Sequence, residues 1–131
     1  MSFLAKLELD GETYNVLDFR MGFSQSVDNS GKPSSDPQGG NFSLVVESTN
    51  STNFFKWMIA NADTKSGTII FYRRDAISKM RELKFDKAYC IGYNEIFHAE
   101  NTLPMRVELS ISASKLSMNG VNYERNWTSL M

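Results

Sequence analysis

The segment from Met105 to Ser114, MRVELSISAS, alternates apolar and polar residues without interruption. Its odd positions carry Met105, Val107, Leu109, Ile111 and Ala113, and its even positions carry Arg106, Glu108, Ser110, Ser112 and Ser114. Successive side chains of a strand point to opposite faces of a sheet, so the pattern predicts a strand with one buried and one wet face. A chain with several such strands is expected to form an antiparallel sheet that packs one face on a core.

Three segments in the first half of the chain repeat this period of two. Residues 3–9 run into Asp10-Gly11, a dipeptide that favours a tight hairpin turn. The strand predicted after that turn lies within residues 13–27, and one of its faces carries Leu17, Phe19, Met21 and Phe23. A third strand is predicted at residues 42–47, bounded by Gly39-Gly40 and Ser48-Thr49.

Two more strands are predicted in the second half. Residues 68–72 are rich in the β-branched and aromatic side chains that favour strands. Within residues 81–94 the large apolar side chains lie at odd positions, namely Leu83, Phe85, Tyr89, Ile91 and Tyr93. Asp86-Lys87 interrupts this run and predicts a bulge or turn. Cys90 falls on the opposite parity from the apolar side chains.

One segment has helical spacing instead. Ser51, Thr52 and Asn53 offer N-cap side chains, and a helix is predicted over residues 52–62. The stripe predicted to face the sheet consists of Phe55, Met58, Ile59 and Ala62. Phe54 and Trp57 fall outside that stripe. They are interpreted either as a cover for the rim of the barrel or as candidate anchors of a contact with another subunit.

The order of these elements predicts the fold class. Six or seven strands with a single helix between the third and fourth predict a mainly β protein, an antiparallel β-barrel of two packed sheets with one flanking helix. A length of 131 residues fits one domain over residues 1–131. The one candidate linker is a polar loop, and it lies too near the N-terminus to separate two domains.

That loop spans residues 28–40, DNSGKPSSDPQGG, between the second and third strands. Its composition is typical of turns and too poor in apolar side chains to fold on itself. Pro33 and Pro37 restrict the backbone, which lowers the entropy that the loop loses when it docks on a partner. The polar and turn-forming residues of the loop are Asp28, Asn29, Ser30, Gly31, Lys32, Pro33, Ser34, Ser35, Gly39 and Gly40.

The chain offers little for catalysis. His98 is the only histidine and Cys90 the only cysteine, so neither a supported Cys-His dyad nor a four-ligand zinc site is predicted. Glu95 and Glu100 do not read as a convergent carboxylate pair of the glycosidase kind. Gly39-Gly40 precedes a strand, whereas phosphate-binding glycine loops open a helix. No enzymatic activity, cofactor or metal is expected.

Charge and the N-terminal segment restrict the expected partners and location. Fourteen basic and fifteen acidic residues give a net charge of −1, which does not favour nucleic acid, and Arg73-Arg74 is interpreted as a solvated strand end. Residues 1–14 lack the regions of a signal peptide, and no apolar run approaches the ~20 residues of a membrane helix. The lone cysteine fits a reducing compartment. Synthesis in the cytoplasm without a signal peptide, and no membrane insertion, are expected.

Four segments together resemble a known family. They are FLAKLELDGETYNVLDF, VDNSGKPSSDPQGGNFSLVVEST, MRELKFDKAYCIGYNE and PMRVELSISASKL. Their order and spacing are similar to those of the Hcp (TssD) tube proteins of the type VI secretion system, most of all the Bacteroidetes form. The similarity extends from Phe3 to Trp127, and its most specific parts are Leu17-Asp18, residues 27–35, Glu47-Ser48-Thr49, residues 101–105 and Asn126-Trp127.

This resemblance implies a structural protein without catalysis. It implies six-membered rings that stack into a hollow tube, which a contractile sheath fires from the cell together with spike, baseplate and effector proteins. It also implies that the loop reaches neighbouring subunits or rings, so Ser30 to Gly40 are expected to be mobile in an isolated ring and ordered in a tube. The polar face of the last strand suits a wetted tube surface.

Two alternative functions remain open at this point. The family is related to phage tail tube proteins, so a tail tube of a phage-like or other contractile particle has the same predicted shape. A small β-barrel that binds a ligand inside a monomer is a different class. The long loop and the helix count against that class, and a ligand-bearing monomer in solution would favour it.

Overall fold

A computed structural model describes residues 4–60, 63–75, 77–100 and 102–125. These residues form seven strands and one helix, in the order β1 (Ala5–Leu9), β2 (Glu12–Met21), β3 (Asn41–Glu47), α1 (Asn53–Ile59), β4 (Lys65–Tyr72), β5 (Lys79–Ile96), β6 (Arg106–Met118) and β7 (Val121–Glu124). The position of the helix between the third and fourth strands is as predicted. Phe3, Ala62, Asn101, Asn126 and Trp127, which the sequence analysis used, lie outside the described residues.

The sheet closes on itself. The strand order is β3-β2-β1-β4-β5-β6-β7, and β3 also pairs with β6, so six strands form a closed antiparallel barrel to which β7 is added. β3 and β7 follow one another along the same edge of β6, because Asn41 pairs with Ser112 and Glu124 pairs with Lys115. The predicted antiparallel barrel with one flanking helix is confirmed.

Apolar side chains fill the inside of this barrel. Val107, Leu109, Ile111 and Ala113 of β6 are all buried, as the alternation predicts. Met105, the first residue of that pattern, precedes β6 and is exposed. The side chains that meet those of β6 in the core include Leu7, Leu44, Val46, Ile69, Leu83 and Phe85. Burial of each such side chain contributes about 1.5–3 kcal/mol, so the interior is the main source of stability.

β1 and β2 form the predicted hairpin. Asp10 and Gly11 both have positive φ, 54° and 76°, as a two-residue type I′ turn requires. The predicted face of β2 is wrong in part, because the register with β3 shifts between Val16 and Asp18. That bulge places Leu17 in solvent, while Phe19 packs on the core. β2 ends at Met21, so the strand predicted through residue 27 is also too long.

β5 contains the predicted irregularity at Asp86-Lys87. Asp86 and Lys87 of β5 lie opposite one residue of β4 there, because Gly67 pairs with Phe85 and Lys65 pairs with Ala88. The bulge moves the buried parity from odd to even positions, so Cys90 is buried and Ile91 is exposed. The prediction that Ile91 faces the core and Cys90 faces away is therefore wrong.

The strand directions place the connections at two opposite ends of the barrel. The end named here the helix end carries the β1–β2 turn, the β3–β4 connection with α1, and the β5–β6 connection, residues 10–11, 48–64 and 97–105. The opposite end, named the loop end, carries the β2–β3, β4–β5 and β6–β7 connections, residues 22–40, 73–78 and 119–120. The long polar loop and the helix thus lie at opposite ends.

Candidate assembly surfaces

Residues 22–40 form an arm that folds back on itself outside the barrel. Ser24 and Gln38 exchange two backbone hydrogen bonds of 3.0 and 2.7 Å, and Val27 pairs with Pro33. The Ser34 N–H donates to the Ser26 carbonyl at 2.7 Å. The expectation that this composition cannot fold on itself is corrected, because hydrogen bonds rather than apolar burial hold its two halves together.

The tip of the arm is organised around Asp28. Its Oδ1 accepts hydrogen bonds from the Ser30 N–H at 2.9 Å, the Ser30 hydroxyl at 2.7 Å and the Lys32 N–H at 3.0 Å. These donors, the Ser30 hydroxyl first, lower the pKa of Asp28. Gly31 has φ of +88°, a conformation in which glycine is favoured, and its N–H donates to the Asp28 carbonyl at 3.1 Å.

Two side chains hold the base of the arm. Phe23 lies at the start of the arm, and Arg125 follows β7. The Phe23 ring covers Gly39 so closely that a Cβ there would lie 2.2 Å from the ring. Phe23 also makes an edge contact with Tyr123 of β7, with ring centroids 4.8 Å apart. The Arg125 Nε donates to the Gly39 carbonyl at 2.6 Å. The arm therefore leaves the barrel at a defined angle.

The ten residues assigned to the loop divide between its tip and its base. Asp28, Asn29, Ser30, Gly31, Lys32, Pro33 and Ser34 are exposed, Ser35 and Gly39 are half-buried, and Gly40 is buried. The structure brings Asp28, Ser30, Gly31 and Lys32 together in one turn, while Gly39 and Gly40 lie under Phe23 and Arg125. Among these ten residues, those of the tip are the ones that a partner can reach most freely.

The predicted faces of α1 are wrong. Phe54 and Trp57 are 5% and 2% exposed and belong to the core, whereas Phe55 and Ile59 are 50% and 66% exposed. The helix spans seven residues, and residues three apart share a face, so the larger Phe54 and Trp57 rings fill the barrel end while the other stripe turns outward. Phe54 and Trp57 thus cover the rim, and the exposed apolar face of α1 is Phe55, Met58 and Ile59.

Polar contacts fix the helix over the barrel. The Trp57 Nε1 donates to the Asp63 carbonyl at 3.1 Å, and the Asn53 Nδ2 donates to Glu12 at 3.1 Å. Tyr14 contacts the Phe54 ring at 4.6 Å and donates its hydroxyl to Glu12. Burial, followed by the Glu12 hydrogen bond, raises the pKa of Tyr14. The predicted N-cap contact comes from Ser51, whose Oγ accepts the Asn53 N–H at 3.2 Å, and not from Thr52.

The helix end also carries exposed apolar side chains outside α1. Phe97, Leu103 and Met105 are exposed around the β5–β6 connection, and Phe97 is 68% exposed. An aromatic side chain between charged residues, as in Glu95-Ile-Phe-His-Ala-Glu100, was the sequence signal for an exposed contact residue. The loop end has an equivalent in Ile77, which is 84% exposed.

The polar face of β6 lies on the outside of the barrel, as predicted. Ser110 and Ser112 are half-buried there and pair with Ser43 and Asn41 of β3. Glu108 is exposed and accepts a hydrogen bond from the Asn94 Nδ2 at 3.1 Å. Small hydroxyl and amide side chains thus dominate this surface, which has hydrogen-bonding groups for water across its width.

The environment of Cys90 does not favour a reactive thiolate. Cys90 is buried, its Sγ donates to the Gly92 carbonyl at 3.4 Å, and burial raises the pKa of its thiol, the opposite of what a nucleophilic thiolate needs. Across residues 4–60, 63–75, 77–100 and 102–125, no three His, Cys, Asp or Glu side chains are grouped to hold a metal ion. No helix in these same ranges is long and apolar enough to cross a membrane.

Comparison with solved structures defines the class of fold. Hcp1 from Flavobacterium johnsoniae is 38% identical, with 94% of this chain and 100% of that chain covered and a TM-score of 0.89. The chain is therefore an Hcp-type barrel. The family model for hemolysin coregulated protein Hcp (TssD) matches residues 1–128, and the chain belongs to this family. It is accordingly a tube subunit of the type VI secretion system. No curated protein sequence matches the chain significantly.

More distant structures share the fold. Hcp1 from Salmonella typhimurium is 15% identical, with 95% of both chains covered and a TM-score of 0.76. A chain of the sheath-tube complex of an extracellular contractile injection system, PVC, is 17% identical, with 89% of this chain and 88% of that chain covered and a TM-score of 0.55. At these identities the likeness concerns the fold alone.

Proposed function

We propose that this chain forms six-membered rings that stack into the hollow inner tube of a type VI secretion system, inside a contractile sheath, and that the tube travels with effectors. The observation that carries the proposal is the arm at residues 22–40, ordered by its own hydrogen bonds yet exposed along its length from residue 22 to residue 34. A closed barrel has no structural need for such a projection. In a ring or a tube the arm reaches a neighbouring subunit.

The arm is built to dock at low entropic cost. The Asp28 carboxylate and the Val27–Pro33 pairing hold the tip in one conformation before any partner arrives. A contact segment that is ordered beforehand loses less conformational freedom on binding. Residues Ser30 to Gly40 are expected to be more mobile in an isolated ring than in a tube. In this proposal the stacking of rings orders them further. The partners beyond the ring are the sheath, spike and baseplate proteins and the effectors.

The first test is the mass of the purified protein by light scattering, with negative-stain images of the main peak. A mass of six chains and ring-shaped particles are expected, and a monomer at high concentration would contradict the proposal. Deletion of Gly31 to Ser35 should leave the barrel folded and the rings intact but abolish stacking. Ser34→Ala is the matched control, because its backbone hydrogen bond to Ser26 remains. Tubes of normal length from the deletion variant argue against the role of the arm.

Secretion is tested separately from assembly. A tube subunit travels with the tube that the sheath drives, so the protein should leave its cell only when the contractile sheath is present. Export from cells that lack the sheath would contradict the proposal, and the Gly31 to Ser35 deletion should fail in export while it remains soluble and folded.

A second candidate is the tail tube of an extracellular contractile injection system. A chain of the PVC sheath-tube complex shares the fold, at 17% identity and a TM-score of 0.55, and the fold alone does not separate the two candidates. The two candidates differ in what co-purifies, since a free particle carries its sheath and tube away from the cell. A ligand-binding barrel is less well supported, because Leu44, Ile69, Leu109 and other core side chains fill the interior.

A further inference from the structure

The two ends of the barrel differ in charge. Charges were counted over each connection and the two residues on either side of it. At the helix end, seven carboxylates outnumber three basic residues. The carboxylates are Glu8, Asp10, Glu12, Glu47, Asp63, Glu95 and Glu100, and the basic residues are Lys56, Lys65 and Arg106. The loop end, counted in the same way, carries five basic residues, Arg20, Lys32, Arg73, Arg74 and Lys79, against three acidic ones, Asp28, Asp36 and Asp75. Surfaces of opposite sign attract and orient each other.

Local hydrogen bonds order the two short turns of the loop end, and the carboxylates that accept them stay charged. The Asp75 Oδ1 accepts the Ile77 N–H at 2.9 Å and the Ser78 N–H at 3.1 Å, and Asp28 likewise caps its own turn. Two of the three carboxylates at that end therefore already serve as acceptors within their turns. Arg73 and Lys79 lie on either side of the β4–β5 turn and are exposed.

At each end, a strongly exposed apolar side chain lies between charged residues. At the loop end, Ile77 projects from the turn between Arg73 and Lys79 and is 84% exposed. At the helix end, Phe97 lies between Glu95 and Glu100 and is 68% exposed. An apolar centre with a charged rim is the usual anatomy of a specific protein interface.

We propose that the β4–β5 turn of one copy of this chain docks on the β5–β6 connection of a second copy, with Ile77 against Phe97 and with Arg73 and Lys79 facing Glu95 and Glu100. The inference rests on the proposed stacking of rings and identifies the contact that gives a stack its polarity. Because the two surfaces differ, every ring presents one of each, and the contact repeats head to tail without closing. Because each ring makes this contact six times, the affinity between two rings is much higher than the affinity of a single contact.

Charge reversal tests this contact. Arg73→Glu with Lys79→Glu, or Glu95→Lys with Glu100→Lys, places like charges opposite each other and should lower the pelletable fraction of tubes roughly tenfold, while single rings keep the mass of six chains. All four substitutions in one chain restore opposite charges across the contact and should restore the pelletable fraction. Glu124→Lys, an exposed change in β7 that belongs to neither counted set, is the matched control.

The unmodified protein supplies a second measurement that does not depend on any variant folding. Its stacks should shorten as NaCl is raised from about 0.05 M to about 0.5 M, because the Debye length falls below the separation of exposed charges, while rings persist. The inference is overturned if rings still stack normally when the charges of only one end are reversed. It is also overturned if the variant with all four substitutions does not stack. Absence of rings in the unmodified protein is a different result and contradicts the proposed function instead.

Discussion

The Arg125 Nη2 donates a hydrogen bond of 2.7 Å to the Asn41 Oδ1, across 84 positions of sequence. The same guanidinium donates to the Gly39 carbonyl at 2.6 Å and to the Ser112 hydroxyl at 2.7 Å. Asn41 opens β3 and Arg125 follows β7, so one side chain joins the two strands that share the edge of β6. It also fixes the base of the arm.

Removal of this side chain should weaken the barrel and loosen the arm together. Arg125→Ala is expected to lower the free energy of unfolding by about 1–3 kcal/mol, because three acceptors lose a charged donor. Urea unfolding followed by tryptophan fluorescence measures the loss. Arg20→Ala is the control, since the Arg20 side chain is 80% exposed and its ion pair with Asp18, at 3.4 Å, lies in solvent. Equal losses for the two variants would show that Arg125 holds nothing in place.

The backbone at Gly40 depends on that same guanidinium. Gly40 has φ of +96°, and a Cβ built there would lie 2.4 Å from the Arg125 Nε. Gly40→Ala should therefore cost more stability than Gly31→Ala, whose φ of +88° is similarly strained but whose Cβ meets no atom within 4 Å. Thermal unfolding of the two variants isolates the steric contribution. A melting temperature for Gly40→Ala no lower than that for Gly31→Ala would contradict the close packing at this site.

The two faces of α1 should respond differently to truncation. Trp57→Ala removes a buried ring and its hydrogen bond to the Asp63 carbonyl, with an expected loss of about 3–5 kcal/mol. Phe55→Ala truncates an exposed ring and should cost much less, although it loses the edge contact with Tyr93 at 5.9 Å. Denaturant unfolding of both variants is the measurement. A larger loss of stability for Phe55→Ala than for Trp57→Ala would contradict the observed orientation of α1 and support the one that the sequence pattern predicted.

Sequence periodicity predicted the strands well wherever a strand runs without a bulge. β6 shows this, since Val107, Leu109, Ile111 and Ala113 are all buried. A bulge adds one residue and reverses the parity that follows, which is why Leu17 faces solvent. The bulge at Asp86-Lys87 reverses the parity of β5 in the same way, which is why Ile91 faces away from the core.

Other parts of the structure depend on contacts that the sequence does not display. α1 is apolar on both faces, so its orientation is set by which rings fit the barrel end, and Phe54 and Trp57 do. The order within the arm comes from donors around one carboxylate, Asp28, and not from apolar burial. Arg125 lies too far along the chain from Asn41 for any local pattern to link them.

Alkaline pH should destabilise the protein through Cys90. Burial raises the pKa of this thiol, so the folded state holds the proton more tightly than the unfolded chain does. The resulting stability is fully present below the unfolded thiol pKa of about 8.5 and is lost as the pH rises toward the folded value. Unfolding free energies at pH values from about 7.5 to about 9.5 should thus fall more steeply for the unmodified protein than for Cys90→Ala. Parallel slopes would contradict this account.

Acidic pH should instead act on the tip of the arm. Hydrogen bonds from the Ser30 hydroxyl and the Lys32 N–H lower the pKa of Asp28, so its ionised form favours the ordered turn above the usual carboxyl range, and that preference is lost as the pH falls through the lowered value. Asp28→Asn should speed amide hydrogen exchange at Ser30 and Lys32 at neutral pH and leave the barrel strands unchanged. Asp36→Asn is the matched control, since the tip hydrogen bonds do not involve Asp36. Equally slow exchange at Ser30 in both variants would show that the turn holds without the Asp28 charge, and the arm would then owe its order to the Val27–Pro33 and Ser24–Gln38 pairings.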